Sequence, residues 1–136
     1  MPISYQQAED IKEKAKEIVL ALQMDWINLE RVGFIRSKGS ATRCVIARCH
    51  TLGKIMQMAM NTEAFYVIEV ISERFDRQSE DDKIKTIIHE LIHIPKTFGG
   101  GFRHHDFVCE NNVELMFKQY KKWKEFQSDL KKRNFF

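Results

Sequence analysis

Proline occurs only twice in this chain and glycine six times. That scarcity excludes collagen-like and low-complexity classes and leaves most residues free for helix and strand. No apolar run approaches the roughly 20 residues that a membrane-crossing helix needs, so no membrane partner is expected. The opening MPISYQQAEDIKEKAKEI is polar and carries acids early, unlike a secretory leader. Cysteine is limited to Cys44, Cys49 and Cys109. An odd count without a leader argues against a disulfide framework and sets the expectation of free thiols in a reducing, cytoplasmic compartment. A length of 136 residues suits one domain, 1–136, able to bury a core without staples.

What is present is 43% hydrophobic and 30% charged residues with a net charge of +3. The positive charge is uneven. Residues 115–136 hold seven Lys/Arg against Glu125 and Asp129. A basic segment of that kind can meet nucleic acid, although it is more often the solvated face of a terminal helix. FKQYKKWKEF interleaves aromatics with lysines, but Phe117, Tyr120 and Trp123 fall on one helical stripe with Val113, Met116 and Leu130, which reads as a packing face.

Periodicity divides the chain. SYQQAEDIKEKAKEIVLALQ has Ala8, Ile11, Ala15, Ile18, Val19 and Leu22 at helical spacing, with Ser4 as a cap. RVGFIRSKGS and TRCVIARCH read as strands that form a hairpin around SKGSA, and FYVIEVI is the strongest strand. TLGKIMQMAMNTEA fits a turn or a short helix. Ser79 followed by Glu80, Asp81 and Asp82 starts a helix, with a capping hydroxyl and three acids at the positive end of the dipole. Ile84, Ile87, Ile88, Leu91 and Ile92 make that helix apolar on most sides, hence central, and Pro95 ends it. A loop and a long helix over 107–133 follow. The expected class is α+β, a small, three-stranded, largely antiparallel sheet with helices packed on it.

The central helix ends in HELIH. His89 and His93 lie four apart, so both rings leave one face and can reach one ion at roughly 2.0–2.1 Å. Glu90 sits about 100° round the helix, placed to act on a water rather than on the metal. Burying two imidazoles and a carboxylate together costs several kcal/mol unless each is satisfied, and a metal satisfies two of them. A catalytic zinc usually takes three protein ligands. His104 and His105 follow across a glycine-rich loop, and adjacent residues of an extended segment point to opposite sides, so one of the two is expected at the metal. A carboxylate of the last helix, Glu110 or Glu114, is the rival third ligand.

TIIHELIHIPKTFGGGFRHHDF, preceded by FYVIEVISERFDRQSEDDK, resembles a small metallopeptidase family of archaea and phages. That family is similar in plan to SprT-like and minimal gluzincin-type proteins of the zincin clan. The resemblance spans about 42–125 and is tightest over 66–107. In the family the helix motif is followed by Ile-Pro, a Gly-Gly pair and a His-Asp pair, matched here by Ile94, Pro95, Gly100, Gly101, His105 and Asp106. It implies a zincin fold and one Zn2+ held by His89, His93 and His105; a peptide or protein substrate is expected from the motif and is not implied by the resemblance. Glu90 is then the general base, with Arg103, Tyr120 or Tyr66 as a donor to the oxyanion and Asp106, Glu110 or Glu69 as acceptors for the ligand histidines. SprT-like proteases can act near DNA.

Two other readings stand beside it. One is a non-catalytic zinc module whose basic C-terminal helix binds nucleic acid or a protein, and the other a hydrolase of non-peptide amides. Cys44, Cys49 and His50 invite thought of a second metal, but residues five apart on a strand face opposite sides, so buried free thiols are expected.

Overall fold

A computed structural model describes residues 2–42 and 44–133. Among them the chain runs β1 (Ser4–Gln7), α1 (Glu9–Ala21), a 3-10 turn (Leu29–Arg31), β2 (Val32–Lys38), β3 (Ala47–Thr51), α2 (Lys54–Met60), β4 (Tyr66–Ile71), α3 (Ser72–Phe75), α4 (Glu80–Ile92) and α5 (Glu110–Arg133). The class is α+β, as expected. Arg43, within the strand expected at its start over TRCVIARCH, lies outside the described residues.

The described strands form one sheet in the order β1-β2-β4-β3. It has four strands and is mixed, rather than three-stranded and largely antiparallel. β1–β2 and β3–β4 are antiparallel, whereas β2–β4 is parallel. Nor do β2 and β3 form a hairpin, because β4 lies between them. In β4 every residue but Val67 is buried, so this strand takes an interior place with a neighbour on each side. β3 alternates half-buried and exposed residues, a pattern that suits an edge. β1 was hidden in the sequence because all four of its residues are exposed and show no burial period. Ser4 therefore does not cap α1. That helix starts after Ala8, whose N–H donates to the Phe34 carbonyl at 2.9 Å.

Strand alternation puts Val32, Phe34, Tyr66, Ile68 and Val70 on one sheet face, against α1 and α4. α4 buries Ile84, Ile87, Ile88, Leu91 and Ile92 there, each worth about 1.5–3 kcal/mol relative to exposure. The Ser79 hydroxyl caps it, accepting from the Asp82 N–H at 3.2 Å. Past its end, Ile94 is fully buried and its carbonyl accepts from Trp26 Nε1 at 3.0 Å, so the chain leaves the helix along a fixed path before Pro95. α5 crosses α4 and α1 through Val113, Phe117 and Tyr120. The Tyr120 hydroxyl donates to the Glu17 carboxylate of α1. Leu130, expected on that packing stripe, is 37% exposed and Phe126 60%, so the last turns of α5 leave the core. Among the described residues no helix is long and apolar enough to cross a membrane.

Candidate metal centre

α4 carries His89 and Glu90 on its last turn, and His93 forms the helix C-cap. The chain then loops out through 96–102 and returns. On its return Arg103 pairs with His93 twice: the Arg103 N–H donates to the His93 carbonyl at 2.8 Å, and His93 Nδ1 donates to the Arg103 carbonyl at 2.8 Å. The second bond leaves His93 Nε2 as the free ring nitrogen. It also brings His105, two residues on, beside the helix.

His89, His93 and His105 each present a ring nitrogen, and these atoms lie within 4.8 Å of one another. Ring centroids are 5.1 Å apart for His89–His93, 5.0 Å for His93–His105 and 5.7 Å for His89–His105. Three imidazoles on a tetrahedral ion at about 2.1 Å would set their centroids about 5 Å apart, so the cluster fits such an ion. Protonation agrees. Burial, then the neighbouring His93 and His105, lowers the His89 pKa to about 4, and burial also lowers that of His93. Both are neutral at pH 7, the form that binds metal. Glu90 is only 5% exposed and makes no salt bridge with any described residue. Burial pushes its carboxyl up to about 7.

The structure does not bring the rival third ligands to this cluster. His104 is exposed on the rim, and its carbonyl accepts from the Phe107 and Val108 N–H groups as the turn into α5 begins. Glu114 is paired with Lys85 at 2.7 Å, and Glu110 is exposed and not part of the cluster. Among the expected oxyanion donors, Tyr120 is committed to Glu17 in the α1–α5 interface and Tyr66 binds the glycine loop. Arg103 alone of the three borders the cleft, its guanidinium 4.1 Å over the Phe107 ring. The expected carboxylate acceptors are also placed elsewhere. Asp106 accepts from the next N–H at 2.9 Å, and Glu69 accepts from His50 at 2.7 Å on the opposite sheet face. A main-chain carbonyl, that of Arg103, takes the part expected of them for His93.

The cysteines are all free. Cys44 is exposed, which corrects the expectation of burial for it, while Cys49 is half-buried at the cleft with its thiol pushed up to about 12 by burial and by Glu90.

A cleft runs to both sides of His89 and Glu90. On one side a space of about 620 Å3 is bordered by Val113, by the Lys85–Glu114 pair and by the carboxylates of Asp82 and Glu110. On the other a space of about 500 Å3 is bordered by Arg48, Arg103 and the histidine cluster. Val45 and Ala47, beside and on the outer strand β3, border both.

A helix-borne histidine pair, a third histidine from a returning loop and a buried glutamate, set under an α+β sheet, define a candidate metal-dependent hydrolase. A family model described as "Putative phage metallopeptidase" matches residues 3–131, and the chain belongs to that family. The match extends well beyond 42–125, taking in β1, α1 and most of α5. Comparison with curated proteins gives no match, and neither does comparison with solved structures.

Proposed function

We propose that the chain is a zinc-dependent peptidase, with His89, His93 and His105 holding the ion and Glu90 acting as general base. The observation that carries this reading is the convergence of three imidazoles with a buried carboxylate, without a salt-bridge partner among the described residues, at the middle of an open cleft. Zinc in such a site supplies a Lewis acid that polarises a carbonyl and lowers the pKa of water toward about 7. Glu90, with a carboxyl near neutrality, takes a proton from water and returns it to the leaving amine. Arg103, which borders the cleft, would donate to the carbonyl oxygen as charge develops. A peptide adds as a strand along the free edge of β3. Basic side chains are directed to the arm that holds Asp82 and Glu110, and acidic ones to the arm that holds Arg48 and Arg103. The likeness to archaeal, SprT-like and minimal gluzincin-type members of the zincin clan belongs to this proposal, as does a reducing, cytoplasmic setting for the free thiols.

The test is metal analysis joined to a Glu90→Gln variant. Wild type should hold one zinc and cleave peptides, and the variant should keep the zinc while hydrolysis falls about 10²–10⁴-fold. Equal activity in the variant would remove Glu90 from the chemistry.

A second reading has one observation in its favour. The last turns of α5 carry Lys131, Lys132 and Arg133 on exposed positions beyond the core. In that reading the metal is structural and this helix docks nucleic acid. DNA binding that weakens steeply with salt would support it, and its absence at low salt would discard it.

A further inference from the structure

The glycine loop between the helix-borne histidines and His105 does not lie free. The Tyr66 side chain, fully buried on β4, reaches it with its hydroxyl. That oxygen accepts from the Gly100 N–H at 2.9 Å and donates to the Gly101 carbonyl at 2.8 Å. Thr51 Oγ1, at the end of β3, donates to the Gly100 carbonyl at 2.9 Å. Gln57 Nε2 on α2 donates to the Gly99 carbonyl at 3.1 Å and to the Leu52 carbonyl at 2.7 Å. Three side chains from three elements thus hold three consecutive residues. The next fixed point is the pair of hydrogen bonds between Arg103 and His93, and His105 follows two residues later.

We propose that Tyr66 is a positioning residue of the metal centre, setting the place of His105 through its hydroxyl on the glycine loop. This rests on the three-histidine reading and goes beyond it, because HELIH and its downstream histidine assign Tyr66 no part. The ring and the hydroxyl have separable tasks. The ring packs against Phe98 at 5.0 Å and Phe102 at 6.4 Å, and Phe102 in turn meets His93 at 6.3 Å. A phenylalanine at this position keeps that packing and removes only the two hydrogen bonds. Tyr66 sends no atom to the ion; it acts on the loop that brings the third imidazole, as the partners that orient metal ligands do.

The experiment is a Co2+ titration of the metal-free full chain, read by affinity and by the visible absorption of the bound ion, with thermal melting in chelator as a separate measurement. Wild type, Tyr66→Phe, Thr51→Val and His105→Ala are compared. Expected are one bound Co2+ in wild type, an affinity about 10–100-fold weaker in Tyr66→Phe, and an absorption spectrum altered toward that of His105→Ala. Thr51→Val should move both readouts in the same direction and serves in place of Tyr66→Phe if that variant does not fold. Wild-type Co2+ affinity and spectrum in Tyr66→Phe, with only the chelated protein melting lower, would reduce Tyr66 to a packing role and overturn the proposal. Failure of wild type itself to bind Co2+ would overturn the metal reading, and this one with it.

Discussion

His105 and His104 are neighbours in sequence and both border the cleft, but only His105 joins the histidine cluster, and a pair of single substitutions reads the difference. His105→Ala should lower metal affinity by at least about tenfold, whereas His104→Ala should leave stoichiometry and affinity near wild type. Equilibrium dialysis against zinc measures both. Gly100 offers a second check. Its φ is +105°, and an added Cβ would stand 2.5 Å from Gln57 Nε2 and 2.9 Å from the Leu52 carbonyl. Gly100→Ala should cost about 1–3 kcal/mol of stability in urea unfolding. The helix motif was legible because its chemistry lies in side chains at fixed spacing. The carbonyl of Arg103 was not, since any residue there offers the same acceptor, nor was the bond of the Tyr66 hydroxyl to the glycine loop, because the sequence offers that hydroxyl only as an oxyanion donor.

Elements divide by how much of their burial follows a simple period. α4 was readable at both ends, from Ser79 with its following acids and from Pro95, and its cap is open to test. Ser79→Ala should lower stability by about 1 kcal/mol by urea unfolding, with little change at the histidine cluster, which lies at the other end of the helix. β4 was readable as a core strand for its continuous apolar run. The pairing was not. β1 has only exposed residues, and the SKGSA turn between β2 and β3 suggests a hairpin, whereas the near-continuous burial of β4 draws it in between them. The stripe on α5 failed at Leu130 because the apolar periodicity continues past Tyr120, the last buried residue of the helix.

At the scale of the molecule, a few ion pairs tie the helices to the sheet and give its stability a pH dependence. Arg36 on β2 bonds Asp10 of α1 at 2.7 Å and Asp76 beyond α3 at 2.9 Å. The hydrogen bond from Arg36 outweighs burial and holds the Asp10 carboxyl below its usual 3.8. For Glu17, burial alone would raise the carboxyl, but Tyr120, Lys124 and Lys14 together bring it below the usual 4.5. Both groups are lowered in the folded state. Their contribution is therefore complete above the unfolded-state values and is lost as pH falls through the lower folded-state values. The thermal midpoint should drop as pH falls below about 4, and Glu17→Gln should flatten that slope; parallel slopes in the two proteins would contradict this account.

The same cleft that joins an acidic arm to a basic one has Glu90 at its middle, with room on either side. A site closed at one end would need a chain terminus to fill it. An open trough lets a polypeptide lie across it from either direction. As a peptidase, the molecule should then nick substrates at internal bonds, releasing fragments rather than single amino acids.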